Sequence, residues 1–455
     1  MIDLPVQENI STSPITFSTR DPTKVKLLFD LVPTYAGTTT KVIGRAVALL
    51  SSIKPTIGTK RMNLQGDLSV PLVAQSTLNI IGTVNFNFLI ITPFIHPNLS
   101  VSEDRTYWKK SATRVIGHRG LGKNMAAEDG KRSLQLGENT IESFVQAASL
   151  GASYIEFDVQ MTKDHVPVIY HDFLVSETGA DVPVHSLTLE QFLALSEGRP
   201  KGKRHDKAEA EDKSLGRTQR SQSLGAAIED DRPDMRERMK HTRDFKKKGF
   251  KGNLRGDFIQ SRFATLEQMF KEVPADAGFN IEMKYPMLWE SEEEDMDTYA
   301  VELNSFVDTV LHMVYDRGGA RHIIFSSFHP DICLLLSFKQ PNFPVLFLSD
   351  AGGSPVGDIR ASSLQEAIRF ASRWNLLGIV SASLPFVLCP RLIQVVKHSG
   401  LVCMSYGTLN NDPFNSRLQA QEGIDAVIVD SVARVRKGLT EGNAVTHSPV
   451  LSNGV

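Results

Sequence analysis

Cysteine is scarce in this 455-residue chain. Cys333, Cys389 and Cys403 are its three, widely spaced and in no paired pattern. At most one intrachain disulfide is possible, which excludes a disulfide scaffold, suits a reducing compartment and makes a cytoplasmic protein the expectation. Long apolar runs are missing too: none reaches the ~18 residues a membrane-crossing helix requires, so no transmembrane segment is expected. The first residues lack the basic, apolar and small-residue succession of a secretory signal. Charge of one sign is likewise absent. Fifty Lys and Arg stand against 52 Asp and Glu, for a formal net charge of -2. That balance offers no whole-chain case for nucleic acid or an anionic membrane. What remains, 41% hydrophobic and 22% charged residues, is the composition of an ordinary globular chain long enough for two or three domains.

Residues 1–105 read as an all-β, sandwich-like accessory domain. TKVKLLFDLV, KVIGRAVALL, DLSVPLVAQ and TLNIIGTVNFNFLIITPF are β-branched and aromatic runs separated by Gly, Pro, Ser and Thr. No cluster of His, Asp or Glu there suggests chemistry.

From Val115 the rhythm changes to short apolar strands, most followed by a helical stretch. Such alternation predicts an α/β fold, and this many repeats favour a closed (βα)8 TIM-type barrel over residues 113–437. A doubly wound open sheet is the alternative, but GHRG is not the GxGxxG dinucleotide fingerprint. Nine candidate strands compete for the eight places of a barrel. Only TKDH separates YIEFDVQM from VPVIY, too short for a parallel crossover of a dozen or more residues. The returning strand is therefore expected to form a local hairpin added to the eight. Residues 196–255, charged and poor in apolar side chains, read as an insertion, solvated or lid-like. The stretch 438–455 reads as a flexible tail. At FIQSRFATLEQMFKEV, Thr265 is placed to cap a helix starting near Leu266.

The chemistry lies in SYIEFDVQMTKDHVPVIYHD, residues 153–172. Glu156 and Asp158 share one face of an otherwise apolar strand, with Cβ atoms roughly 6–7 Å apart. Barrel interiors are packed rather than wet, so charges there need a partner or a metal. If TKDH forms the turn, Val166 falls opposite Met161, Ile169 opposite Asp158 and His171 opposite Glu156. Opposed residues share a side, which sets His171 beside the carboxylates; a one-residue slip undoes this. A second strand, NIEMK, adds Glu282 and Lys284 on one face. Three carboxylates suit one hard divalent cation, Mg2+ or Ca2+. Lys284 is suited either to a phosphate or to holding Glu282. At the end of the first strand, VIGHRG presents His118 and Arg119, the latter a guanidinium fit for a phosphate. In GENT, Glu138 and Asn139 either orient His118 or Arg119 or cap the following helix. Two histidines, a cation site and an arginine describe metal-assisted phosphodiester cleavage by general acid and base.

At this point the ordered motifs are recognisable. GHRG at 117–120, GEN at 137–139, IEFDVQMTKD at 155–164, PVIYHD at 167–172, ATLEQ at 264–268, NIEMK at 280–284 and SSF at 326–328 resemble the glycerophosphodiester phosphodiesterase family over about residues 113–435. The resemblance implies a (βα)8 barrel that hydrolyses glycerophosphodiesters. It implies His118 and His171 as the catalytic pair and Glu156, Asp158 and Glu282 as metal ligands. Arg119 becomes a phosphate contact and Lys284 a supporting residue. Products are sn-glycerol 3-phosphate and an alcohol, formed either through a cyclic phosphate or by direct attack of water. The strand VCMSYGTLNNDP lacks the tryptophan of a WTVN-like family motif, and Tyr406 stands near that aromatic position. Tyr406 and Phe328 are suited to face a choline ammonium, and Phe328 is equally suited to simple core packing.

The arrangement also resembles the C-terminal part of fungal glycerophosphocholine phosphodiesterases. That favours glycerophosphocholine as substrate, with any regulatory regions of those proteins lying outside this chain. A broader phosphodiesterase, including lysophospholipase D activity, and a non-catalytic phosphate-ester-binding barrel are the competing readings.

Overall fold

A computed structural model describes residues 14–33, 41–49, 65–100, 108, 112–122, 136–175, 181–196, 262–296 and 301–440. The expected insertion at 196–255 falls, Ser196 apart, outside the described residues. Of the expected tail at 438–455, residues 438–440 instead end the helix Val432–Thr440, and 441–455 lie outside the described residues.

The four N-terminal apolar runs form strands β1 (Lys26–Leu31), β2 (Gly44–Leu49), β3 (Gln65–Ala74) and β4 (Ile80–Leu89). They pair antiparallel in the order β1-β2-β3-β4. In β2, Ala46 and Ala48 are buried while Val47 and Leu49 are exposed, the alternation of a sheet packed on one face. The chain then runs along the flank of the second unit. Asn304 Oδ1 accepts from the amide and hydroxyl of Thr92, and Lys339 Nζ donates to the Thr92 carbonyl at 2.7 Å.

The second unit begins with β5 (Arg114–Gly117) and β6 (Tyr154–Met161). The returning strand β7 (Pro167–Ile169) follows, then the short ribbon β8 (Leu174–Val175) and β9 (Val182–Pro183), and β10 (Ala264–Thr265). The series continues with β11 (Gly278–Met283), β12 (Ile323–Ser327), β13 (Val345–Ser349), β14 (Gly378–Ala382), β15 (Val402–Tyr406) and β16 (Ala426–Val429). Eight strands, β5, β6 and β11 to β16, are all parallel, and β16 pairs with β5 to close the barrel. The nine-for-eight conflict is resolved as expected, with β7 antiparallel to β6 and outside the ring. The eight-residue β6 outruns four-residue β5, so its first two residues pair with β5 and its last three are left for β7.

Period-two alternation sorts the barrel residues. Ile116, Ile324, Leu346, Leu348, Val380, Met404, Ala426 and Ile428 fill the interior. Phe157, Phe279, Phe325, Phe347, Ile379, Cys403 and Val427 pack outward against the helices. Continued toward the carboxyl ends of the strands, the inward parity reaches His118, Glu156, Asp158, Glu282, Lys284, Phe328, Asp350, Tyr406 and Asp430. Most functional candidates thus share one end of the barrel for a reason of parity. Thr265 caps the helix Leu266–Glu272 in a box with Gln268, as the sequence predicts.

The hairpin register differs from expectation by one residue. Met161 pairs with Pro167, Gln160 with Val168 and Val159 with Ile169. Thr162 and Val166 close a three-residue loop, with His165 in the left-handed region at φ 60°. TKDH as a four-residue turn would have set Ile169 against Asp158, an apolar side chain among carboxylates. The observed register instead buries Ile169 with Val159 in the strand–helix core, worth about 1.5–3 kcal/mol for the isoleucine. Val168 and Tyr170, on the other face of β7, pack with Phe192 and Phe263 in a separate apolar cluster. The hydrophobic pattern, not the turn, set the pairing.

Candidate active site

His118 follows β5 in a turn that its neighbours force. Arg119 has φ 49° and Gly120 φ 89°, both left-handed. A Cβ on Gly117 would stand 2.5 Å from the Gly120 carbonyl oxygen, and one on Gly120 would stand 2.3 Å from Ser143 Oγ. The tight turn aims the Arg119 amide at Glu156 Oε2, 2.8 Å away. The His118 Nδ1 is 2.7 Å from Asp430 Oδ1, and Asn411 holds Asp430 in place. Asn411 Nδ2 donates to Asp430 Oδ2 at 2.7 Å, while its Oδ1 accepts from the Asp430 amide.

His171 reaches the site by a route the sequence reading did not foresee. With the observed register, it cannot owe its position to pairing opposite Glu156. The chain leaves β7 after Ile169 and wraps around the buried amide of Gln160. Gln160 Nε2 donates to the carbonyls of Tyr170, His171 and Asp172 at 2.8, 3.3 and 2.8 Å. The His171 Nδ1 lies 2.7 Å from Asp172 Oδ1. Its ring is close enough to Arg119, Lys284, Asp158 and His118 for their charges to act on it. Burial, with Arg119 beside it, lowers the proton affinity of His118. Burial, with Arg119 and Lys284, lowers that of His171 much further. Both imidazoles are therefore held toward their neutral form.

Glu156, Asp158 and Glu282 are buried, and one oxygen from each lies within 4.8 Å of the others. β6 and β11 pair in parallel with Asp158 opposite Glu282, which gathers the three from two strands. Burial and the neighbouring charges of Asp158 and Glu282 raise Glu156 well above the usual carboxylate range. Burial, with Asp158 alongside, pushes Glu282 up to about 7 despite Lys284. Burial also opposes ionisation of Asp158, but His171 when protonated, with Lys284 and Arg119, holds it below the ordinary value. Asp158 Oδ1 is buried and accepts no hydrogen bond; Lys284 Nζ stands 3.7 Å from it. A crowded acidic triad with an uncommitted oxygen fits a single divalent cation, and an all-oxygen set is the donor chemistry of magnesium or calcium.

The remaining expected residues surround this triad. Arg119 donates from Nη1 to Glu138 Oε1 at 3.0 Å, and its Nε is 3.5 Å from Asp158 Oδ2. Burial works against its charge, yet Glu138, Asp158 and Glu156 keep the guanidinium firmly protonated. Of the two roles open to Glu138, the structure shows the one that orients Arg119. Asn139 does not cap the following helix; Thr140 does. Instead Asn139 Nδ2 donates to Asp158 Oδ2 at 2.9 Å from a left-handed backbone. Lys284 Nζ lies 3.4 Å from Glu282 Oε1. Phe328 and Tyr406 meet edge to face, centroids 5.8 Å apart, at the carboxyl ends of β12 and β15.

Sequence reasoning missed Asp172, Asp430, Gln160 and Asn411. Gln160 carried a usable signal, being the third polar residue at period two after Glu156 and Asp158. Asp172 sits next to His171 in YHD. Asp430 ends the strand IDAVIVD as His118 follows VIG, a parallel visible only once both strands are known to be neighbours.

Comparison with known proteins agrees with this geometry. A model of the glycerophosphoryl diester phosphodiesterase family matches residues 118–434, and a GDE1-like C2 domain model matches residues 1–95. Glycerophosphocholine phosphodiesterase GDE1 of Candida albicans is 50% identical over 455 residues, covering 97% of this chain and 39% of that protein. Its namesake in Eremothecium gossypii is 53% identical over 420 residues, covering 88% and 31%. The Schizosaccharomyces pombe protein of that name is 41% identical over 470 residues, covering 96% and 40%. The chain thus spans at most 40% of the length of these three relatives. With its carboxylate triad, its two histidine–aspartate pairs and a family match from His118 to Arg434, the chain belongs to the glycerophosphoryl diester phosphodiesterase family.

Proposed function

We propose that this barrel hydrolyses glycerophosphodiesters, glycerophosphocholine foremost, to sn-glycerol 3-phosphate and choline. The observation that carries this reading is the meeting of His118, His171, Arg119 and the Glu156–Asp158–Glu282 triad at one end of the barrel. Likeness to proteins named glycerophosphocholine phosphodiesterase supports the choline headgroup.

His118 and His171 each commit Nδ1 to an aspartate, which leaves Nε2 of both for the substrate. One imidazole takes the proton of the attacking hydroxyl while the other donates a proton to the departing choline oxygen. The attacking hydroxyl is either that of water or that of the neighbouring glycerol carbon, whose cyclic phosphate water then opens. The Asp430 and Asp172 carboxylates stabilise whichever ring is protonated in turn. Arg119, held by Glu138, pairs with the phosphate and offsets charge as phosphorus becomes five-coordinate. Glu156, Asp158 and Glu282 would hold the divalent cation, which when bound supplies Lewis-acid polarisation of the phosphate. Lys284 keeps Glu282 in place, and Phe328 and Tyr406 face the headgroup. In this reading residues 1–105 are an accessory module and 113–437 the catalytic barrel, into which the charged stretch 196–255 is inserted. Three free cysteines, Cys333 and Cys403 among them buried, support a reducing, cytoplasmic setting.

A divalent-cation screen against matched choline and inositol diesters, with products identified directly, tests the reading. Cation-dependent release of choline with sn-glycerol 3-phosphate is expected. Failure to cleave any glycerophosphodiester with any supplied cation, while such ligands still bind, would establish a binding role instead. Equal turnover of both diesters would sink the choline preference.

A further inference from the structure

The inward positions at the barrel end divide into two halves. One half, at the ends of β5, β6 and β11 and in the turn after β7, carries the imidazoles, Arg119, Lys284 and the acidic triad. The other half follows β12 to β15 and carries Phe328, Asp350, Ala382 and Tyr406, of which Asp350 has no part in the chemistry above. In the sheet, Ser349 pairs with Ser381 and Ala382 with Tyr406. Ala382 therefore stands in the row between Asp350 and Tyr406. Its small side chain lets the Tyr406 hydroxyl cross to Asp350 and donate to Oδ1. Phe328 completes the group by packing edge to face on Tyr406 at an interplanar angle of 90°.

We propose that Asp350, with Tyr406 and Phe328, forms the subsite for the cationic end of a zwitterionic phosphodiester, and that Asp350 determines preference for a quaternary ammonium headgroup. A quaternary ammonium donates no hydrogen bonds. It is recognised by negative charge and by aromatic faces, and both are assembled here. Asp350 is only partly buried, and among the described residues no Lys, Arg or His forms an ion pair with it. The Tyr406 hydrogen bond fixes the position of the carboxylate. The phosphate-binding cations and the Asp350 carboxylate thus stand in different halves of one mouth, matching the two charges of a choline phosphodiester. A neutral polyol headgroup can donate hydroxyl hydrogen bonds to that carboxylate but brings no charge to meet it.

The inference rests on the proposed hydrolysis and is tested so that the two can fail separately. The measured quantity is the ratio of kcat/KM on glycerophosphocholine to that on glycerophosphoinositol, for the full chain and for Asp350→Asn. An isosteric loss of charge is expected to lower this ratio by about tenfold or more, mainly through KM of the choline diester. Tyr406→Phe, which keeps the ring and releases the carboxylate, is expected to lower it less than Asp350→Asn. A ratio within twofold of the parent in Asp350→Asn would overturn the subsite and leave Asp350 as an anchor for Tyr406. If the parent cleaves neither diester, the proposed function fails, and calorimetric titration with choline decides the subsite by itself. Weaker choline binding in Asp350→Asn than in the parent supports it; equal or absent binding in both overturns it.

Discussion

The imidazole of His118 and the carboxylate of Asp430, 312 residues apart in the chain, meet at 2.7 Å through Nδ1 and Oδ1. The contact exists because β16 pairs with β5, Val429 opposite Gly117, so that the next residues of both strands emerge together. Asp430 raises the proton affinity of His118 against burial and Arg119, which lower it. Asp430→Asn removes that support. The pH–rate limb belonging to His118 is then expected to move to lower pH, with kcat reduced about 10- to 100-fold. An unmoved limb in the kcat/KM profile would show that the pair does not govern the titration.

Gln160 holds three consecutive carbonyls of the His171 turn with one amide nitrogen. Gln160→Leu keeps the approximate volume and leaves those carbonyls with one donor fewer. A stability loss of about 1–3 kcal/mol is expected in urea titration. Activity should fall further than stability accounts for, because His171 loses its placement. Full kcat at a temperature where the variant remains folded would refute the role.

Cation removal should abolish hydrolysis, and the pH dependence has a definite sign. Glu282 is raised to about 7 from 4.5 by burial and the neighbouring Asp158. A carboxylate raised on folding contributes stability that is present below its unfolded value and lost as pH rises through about 7. The cation-free chain is therefore penalised on the alkaline side, where a bound cation relieves the crowding. Protons and cation also compete for the same oxygens. The rise in Tm on adding saturating Mg2+ or Ca2+ should be larger at pH 8 than at pH 6. A rise independent of pH would contradict binding at this triad.

Gly120 and Gly400 separate steric from backbone cost. Both have left-handed φ, 89° and 79°, but a Cβ at Gly400 meets nothing within 4 Å while one at Gly120 meets Ser143. Gly400→Ala is expected to cost about 1–2 kcal/mol, the price of an L-residue in that region. Gly120→Ala should cost more and impair activity, since it displaces the turn that carries His118. Equal unfolding midpoints for the two variants would remove the steric argument.

Much of this molecule was readable in one dimension. Strand–helix alternation announced the barrel, and the shortness of TKDH excluded a crossover and so placed β7 outside the ring. Period-two spacing put Glu156 with Asp158, and Glu282 with Lys284, on shared faces. These are local properties: an extended chain fixes which side a residue faces within two positions, whatever the rest of the chain does. Thr265 as a helix cap is readable for the same reason.

Tertiary structure decided what depends on neighbours distant in the chain. The hairpin register turned on where Ile169 could be buried, and the answer required the strand–helix core around it. His171 was expected in the site through pairing, yet Gln160 holds it there through three hydrogen bonds to the turn. Asn139, which the sequence left between capping and orienting, was claimed by Asp158. Closure of the barrel alone brought Asp430 to His118, and the pairing of β13, β14 and β15 set Asp350 within reach of Tyr406 across Ala382. The sequence by itself determined the faces of the strands and hence the kinds of chemistry available. Only the closed ring decided which of those faces meet, because inter-strand pairing is a long-range balance of burial that no short window of residues contains.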